Sequence, residues 1–128
     1  MANGSTDHYQ ALRAKADAEA TMRPQPVPVN VYEASEALVI LAPLPAVTAD
    51  DVQVELRPDT VRFWSHVRSA PTRDYLVNEW AYGGYEREVA IPAGYGAGIE
   101  ATMANGQLAI RVLRGAPVGP ITVQPHAL

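Results

Sequence analysis

The feature that most restricts the fold of this chain is a hairpin written into its last third. Ala101-Thr102-Met103-Ala104 and Gln107-Leu108-Ala109-Ile110-Arg111-Val112 alternate apolar and polar residues on either side of Asn105-Gly106. Asn-Gly offers two residues tolerant of positive φ, as the type I′ turn between twisted strands requires. A lone hairpin does not bury its apolar face, so the rest of the chain has to supply more sheet. It does so in short runs. Val29 to Glu33 reads as a first strand, and Leu38-Val39-Ile40-Leu41, bounded by Pro43 and Pro45, as a buried one. Val52, Val54 and Leu56 alternate with Gln53, Glu55 and Arg57, and Pro58-Asp59 turns the chain into Val61 to Val67. Tyr75-Leu76-Val77 and Tyr85 to Ile91 follow, then a glycine-rich connection from Pro92 to Gly98.

Seven or eight short strands with no helical period between them predict an all-β, antiparallel, immunoglobulin-like β-sandwich. With 128 residues there is room for one such domain. Its boundaries are predicted at 29–114. Residues 1–28 form a short amino-terminal arm and linker: one thin helix with Tyr9, Leu12, Ala16 and Ala20 on a face, ended by Pro24, Pro26 and Pro28. Residues 115–128 form an extended carboxy-terminal tail.

Composition narrows the chemistry. There is no cysteine, which excludes disulfides, thiolate metal sites and cysteine nucleophiles. The net charge of -4 without a basic run argues against nucleic acid as a partner, and no apolar run is long enough for a membrane-spanning helix. The predicted setting is the cytoplasm. His8, His66 and His126 lack metal-ligand spacing, and Asp50-Asp51 after Thr48 reads as a capped turn into a strand. Ser65 and His66 are neighbours on a strand, face opposite sides and cannot act as nucleophile and base. Gly94-Tyr95-Gly96-Ala97-Gly98 opens no helix and so holds no phosphate. Trp64, Trp80, Tyr82 and Tyr85 are assigned to core and dimer contacts. The chain is therefore expected to have no catalytic residue, no metal and no cofactor.

The tail carries a feature of its own. Ile121-Thr122-Val123 lies between Pro120 and Pro125, which keep it out of any helix. In extended chain Ile121 and Val123 point the same way, about 7 Å apart, suited to adding to a sheet edge.

Several of these segments resemble the small heat-shock proteins of the alpha-crystallin domain family. Ala101 to Leu108 matches an A-x-x-x-N-G-x-L hairpin. Leu44-Pro45-Ala46-Val47 with Asp50 to Val54 is similar to L-P-G-V followed by D-I-x-V, Ala46 standing where glycine is usual. Glu79 to Arg87, with Ile91-Pro92, resembles E-R-S-Y-G-x-F-x-R and L-P. Ile121-Thr122-Val123 resembles the family's Ile-x-Ile/Val tail. Family arms are usually rich in phenylalanine, whereas Phe63 is the only one in this chain.

The resemblance implies an ATP-independent holdase that binds partly unfolded proteins and suppresses their aggregation. Its alternative is a β-sandwich adaptor or co-chaperone bound to one folded partner. The resemblance also implies self-association, as a dimer or a higher oligomer. In that dimer Tyr75, Leu76 and Val77 of one copy would pair with the strand containing Val29 and Val31 of another. Val54, Leu56, Ala101 and Met103 would form a groove for client or tail, and Ile121 and Val123 of another subunit would be the latch that fills it. The stretch from Arg114 to Ile121 spans at most ~25 Å when extended, enough to leave its own domain.

Overall fold

Alternation of buried and exposed side chains decides where the strands of this chain lie. The computed structural model describes residues 25–66, 73–79 and 84–128. The predicted arm helix, Trp80 and Tyr82 lie outside the described residues. In chain order the strands are β1 (Gln25–Pro26), β2 (Asn30–Glu33), β3 (Ala37–Pro43), β4 (Val52–Leu56), β5 (Thr60–Ser65), β6 (Tyr85–Ala90), β7 (Tyr95–Ala104), β8 (Gln107–Arg114), β9 (Ile121–Val123) and β10 (His126–Ala127). They build two sheets, ordered β1-β6-β5-β4-β9 and β10-β7-β8-β3-β2. This is the predicted β-sandwich. All strand pairs are antiparallel except β1 with β6 and β10 with β7.

The core lies between the sheets. Val52, Val54 and Leu56 from β4, Val61 and Phe63 from β5, and Leu108, Ile110 and Val112 from β8 are all sealed from solvent. β3 buries side chains on both faces, including Ala37 and Val39, which are not part of the cluster between the sheets. That explains its unbroken apolar run. At the β7–β8 turn Asn105 has φ 53° and Gly106 φ 76°, the two positive angles the hairpin needs. The turn between β4 and β5 is closed by the Arg57 amide donating to the Thr60 carbonyl at 2.8 Å.

Ala46, in the glycine position of the resembling motif, has φ 69°. An L-residue in that region costs roughly 1–2 kcal/mol. The turn is held nonetheless: the Leu44 amide donates to the Gly106 carbonyl at 2.7 Å, and the Tyr85 hydroxyl to the Pro45 carbonyl at 2.9 Å.

Four expectations need correction. Tyr75-Leu76-Val77 is not a strand in the single chain: residues 73–79 are irregular, and Leu76 is fully exposed. No described strand lies beside them to complete a ladder. Pro92 to Gly98 is not wholly a connection, since β7 begins at Tyr95 and a register shift between Tyr95 and Ile99 absorbs the glycines. The sandwich begins before residue 29, because β1 pairs with β6 and Val27 is buried in the core. Trp64 faces outward, half-buried, with the Arg62 guanidinium 4.3 Å above its ring, because its neighbours Phe63 and Ser65 take the inward positions.

Candidate functional site: the sheet edges and the tail

Each sheet of a sandwich ends in strands whose outer amides and carbonyls have no partner within the body of the fold. In this chain three of those strands are met by short segments of its own ends. Gln25 and Pro26 lie along β6, and the Arg87 side chain donates to the Val27 carbonyl at 2.9 Å. β9 runs antiparallel to β4, with Ile121 opposite Leu56, Thr122 opposite Glu55 and Val123 opposite Val54. β10 runs parallel to β7, with His126 opposite Thr102 and Ala127 opposite Met103. The Leu128 amide continues it, donating to the Met103 carbonyl at 3.0 Å.

The named groove residues therefore sit where the two sheets meet at one side of the sandwich. Val54 and Leu56 face inward from β4, and Ala101 and Met103 from β7; all four belong to the core cluster. Ile121 and Val123 are half-buried and pack against that cluster, and β9 touches β7 as well as β4. The structure brings these six residues together within one chain.

The approach of the tail is itself specified. The Gly115 amide donates to the Gly94 carbonyl at 2.8 Å, and Val118 to Gly96 at 3.3 Å. Gly96 has φ +125°, and a Cβ there would lie 3.3 Å from the Pro117 Cα. A side chain at 96 would thus be strained and would push the tail away.

Energetically β9 is a weak attachment. Half-burying two branched side chains contributes roughly 1.5–3 kcal/mol. Ladder hydrogen bonds add about 1 kcal/mol each. Ordering three backbone residues costs about 3–6 kcal/mol. The terms nearly cancel, so the segment is held reversibly. Pro117, Pro120 and Pro125 lower the ordering cost by limiting the free tail.

The fourth edge differs. β2 pairs only with β3, and no described residue lies along its other side. Val31 and Tyr32 are 43% and 53% exposed, while Val29 precedes the strand and packs partly against the core. Tyr75, Leu76 and Val77 are exposed as well, and the single chain does not bring them onto β2.

The far end of β2 is pinned by a polar cluster that sequence reasoning missed. The buried Tyr95 hydroxyl donates to Glu33 Oε1 at 2.9 Å and accepts from Arg114 Nη2 at 2.8 Å. The Arg114 guanidinium also lies 4.8 Å from the Tyr95 ring centre, and its Nε donates to the Ser35 carbonyl at 3.2 Å. Burial and the hydrogen bond to Glu33 push the Tyr95 phenol above its ordinary value, against the opposing pull of Arg114. These partners are 62 and 19 residues apart in the chain, and no local motif links them.

The remaining polar motifs are structural. Ser65 is buried, and its Oγ accepts from the Tyr85 amide at 2.9 Å, while His66 is exposed on the other side. Thr48 and Asp51 close their turn, the Thr48 amide donating to Asp51 Oδ2 at 2.9 Å. No helix among the described residues is long and apolar enough to cross a membrane.

Comparison with known proteins agrees with this architecture. The model of the Hsp20/alpha crystallin family matches residues 30–124. Among solved structures, hspA from Xanthomonas axonopodis is 25% identical with a TM-score of 0.64, the match covering 72% of this chain and 96% of that one. A small heat-shock protein from Xylella fastidiosa, described as having a distinct high order structure, is 24% identical with a TM-score of 0.61, over 77% and 94% of the two chains. HSP18.5 from E. histolytica is 19% identical with a TM-score of 0.60, over 70% and 88%. No curated protein matches the sequence. The two-sheet sandwich, its Asn-Gly hairpin and the family match over most of its length place this chain in the Hsp20/alpha-crystallin family, the small heat-shock chaperones.

Proposed function

We propose that this protein is an ATP-independent holdase that works in the cytoplasm as at least a dimer. The observation that carries the reading is the groove between β4 and β7, which the chain covers with a weakly held extended segment of its own. Unfolding proteins expose apolar side chains and unpaired strand edges. An extended client segment with two branched side chains offers β4 the same ladder and the same contacts as Ile121 and Val123, so client and tail compete for one site. Dimerisation follows from the other edge. Tyr75-Leu76-Val77 of one copy adds to the open side of β2 in another, beside Val31, removing exposed backbone and apolar surface from both. Tails exchanged between dimers would build larger assemblies on the same latch.

The test is light scattering of a client denaturing with heat, with and without the protein. Suppression at equimolar ratio is expected, and unchanged aggregation overturns the reading. The absence of phenylalanine outside the buried Phe63 favours a second reading, an adaptor bound to one folded partner. Recovery of a single stoichiometric folded protein, with no suppression of aggregation, would establish it instead.

A further inference from the structure

The tail does not stop at the groove. After β9 it crosses from the edge of one sheet to the edge of the other, and Pro125 occupies the crossing. Pro125 is buried, whereas Gln124 before it and His126 after it are exposed. Beyond it, β10 and the Leu128 amide pair with β7. A residue at such a crossing has left the β4 ladder and not yet joined β7. An ordinary amide buried there would need an acceptor of its own, or cost about as much as a lost hydrogen bond. Proline has no amide to strand, and its fixed φ restricts the chain at the crossing.

Ile121 and Val123 by themselves scarcely offset the ordering of β9. A third buried side chain and a second ladder on the opposite sheet supply what they lack. We propose that residues 121–128 form one two-sheet clasp with three anchors, Ile121, Val123 and Pro125. The β4–β7 site is then a receptor for an Ile-x-Val-x-Pro peptide whose last residues pair with β7. The inference rests on reading the groove as a peptide site and extends that site onto the second sheet.

Hydrogen exchange of the full-length chain, followed by mass spectrometry, tests it without any client. Its outcome is therefore independent of the aggregation assay: either can fail while the other stands. Pro125→Ala is expected to speed exchange at 121–123 about tenfold, as does a chain ending at Gln124, because local opening sets these rates. Ile121→Ala with Val123→Ala is expected to speed exchange at the Leu128 amide by a similar factor, since a clasp opens as a unit. Exchange at 121–123 within twofold of wild type in both tail variants overturns the proposal. Equal acceleration in β3 and β8 overturns it too, because Pro125 would then be holding the whole fold rather than the clasp.

Discussion

The four edges of this sandwich are treated in two ways, and the contrast explains more than the core does. β6, β4 and β7 are each covered by two or three residues from the chain's own ends. β2 has no described neighbour on its outer side and shows Val31 and Tyr32 to solvent. Covers tethered to the same molecule need no second copy, so they form at any concentration and, being short, open easily. An edge that no described residue covers is one to which a further strand can add. Reversible self-covering and the proposed partnering thus sit on different strands, and each can be broken without the other.

The open edge offers the largest effect. Leu76→Pro removes a backbone donor from the exposed segment proposed to add to β2. Residues 73–79 make no strand in the single chain, so the fold has nothing to lose there. Sedimentation velocity should show dimers replaced by monomers, with dissociation constants raised on the order of a hundredfold. An unchanged dimer would remove β2 from the contrast.

The covered edge at β4 comes next. Ile121→Ala with Val123→Ala gives up roughly 1–2 kcal/mol of half-buried side chain. The melting temperature should fall by several degrees. Any assembly larger than a dimer should shrink to the dimer, which stays intact. Retention of full size by the double variant would show that the latch does not join subunits.

Val27 tests the third cover. It is buried at the end of the β1 strap. Val27→Ala should cost about 1–2 kcal/mol, measured by urea denaturation, without changing subunit number. A change of oligomer with no loss of stability would mean that β1 belongs to the interface and not to the fold.

The smallest effect lies at the anchored end of β2. The Tyr95 phenol is held above its ordinary value of 10.0, so the folded state binds that proton more tightly than the unfolded state. Its contribution is complete below the ordinary value and is lost as pH rises through the higher folded value. Tyr95→Phe should therefore lose less stability than wild type when urea midpoints at neutral pH are compared with those above 10.0. Equal losses would detach this cluster from the alkaline response.

Much of the scaffold is legible in the sequence. The alternation in Val52 to Leu56, the Asn105-Gly106 turn and the unbroken run at 38–41 each report a local geometry through local chemistry: side-chain period, tolerance of positive φ, or burial on two faces. The tail motif was legible for the same reason, two branched residues held extended between prolines. Where reading failed, the determining partner was distant. Trp64 has the bulk of a core residue, but strand phase turned it outward. Gly94 to Gly98 has the composition of a loop, yet pairing with β8 drew most of it into β7.

What the sequence alone determined, then, is which segments are extended, which faces are apolar and where the chain turns, because neighbours in the chain decide those properties. Only the tertiary structure decided which edge each segment joins. β1 and β10 are two residues long and nothing local marks them, and nothing local shows that Pro125 is buried. Tyr95, Glu33 and Arg114 meet only because β2, β7 and β8 end at the same corner of the sandwich. Edge covering depends on where two sheets finish in space, a property of the packed layers that no stretch of sequence carries by itself.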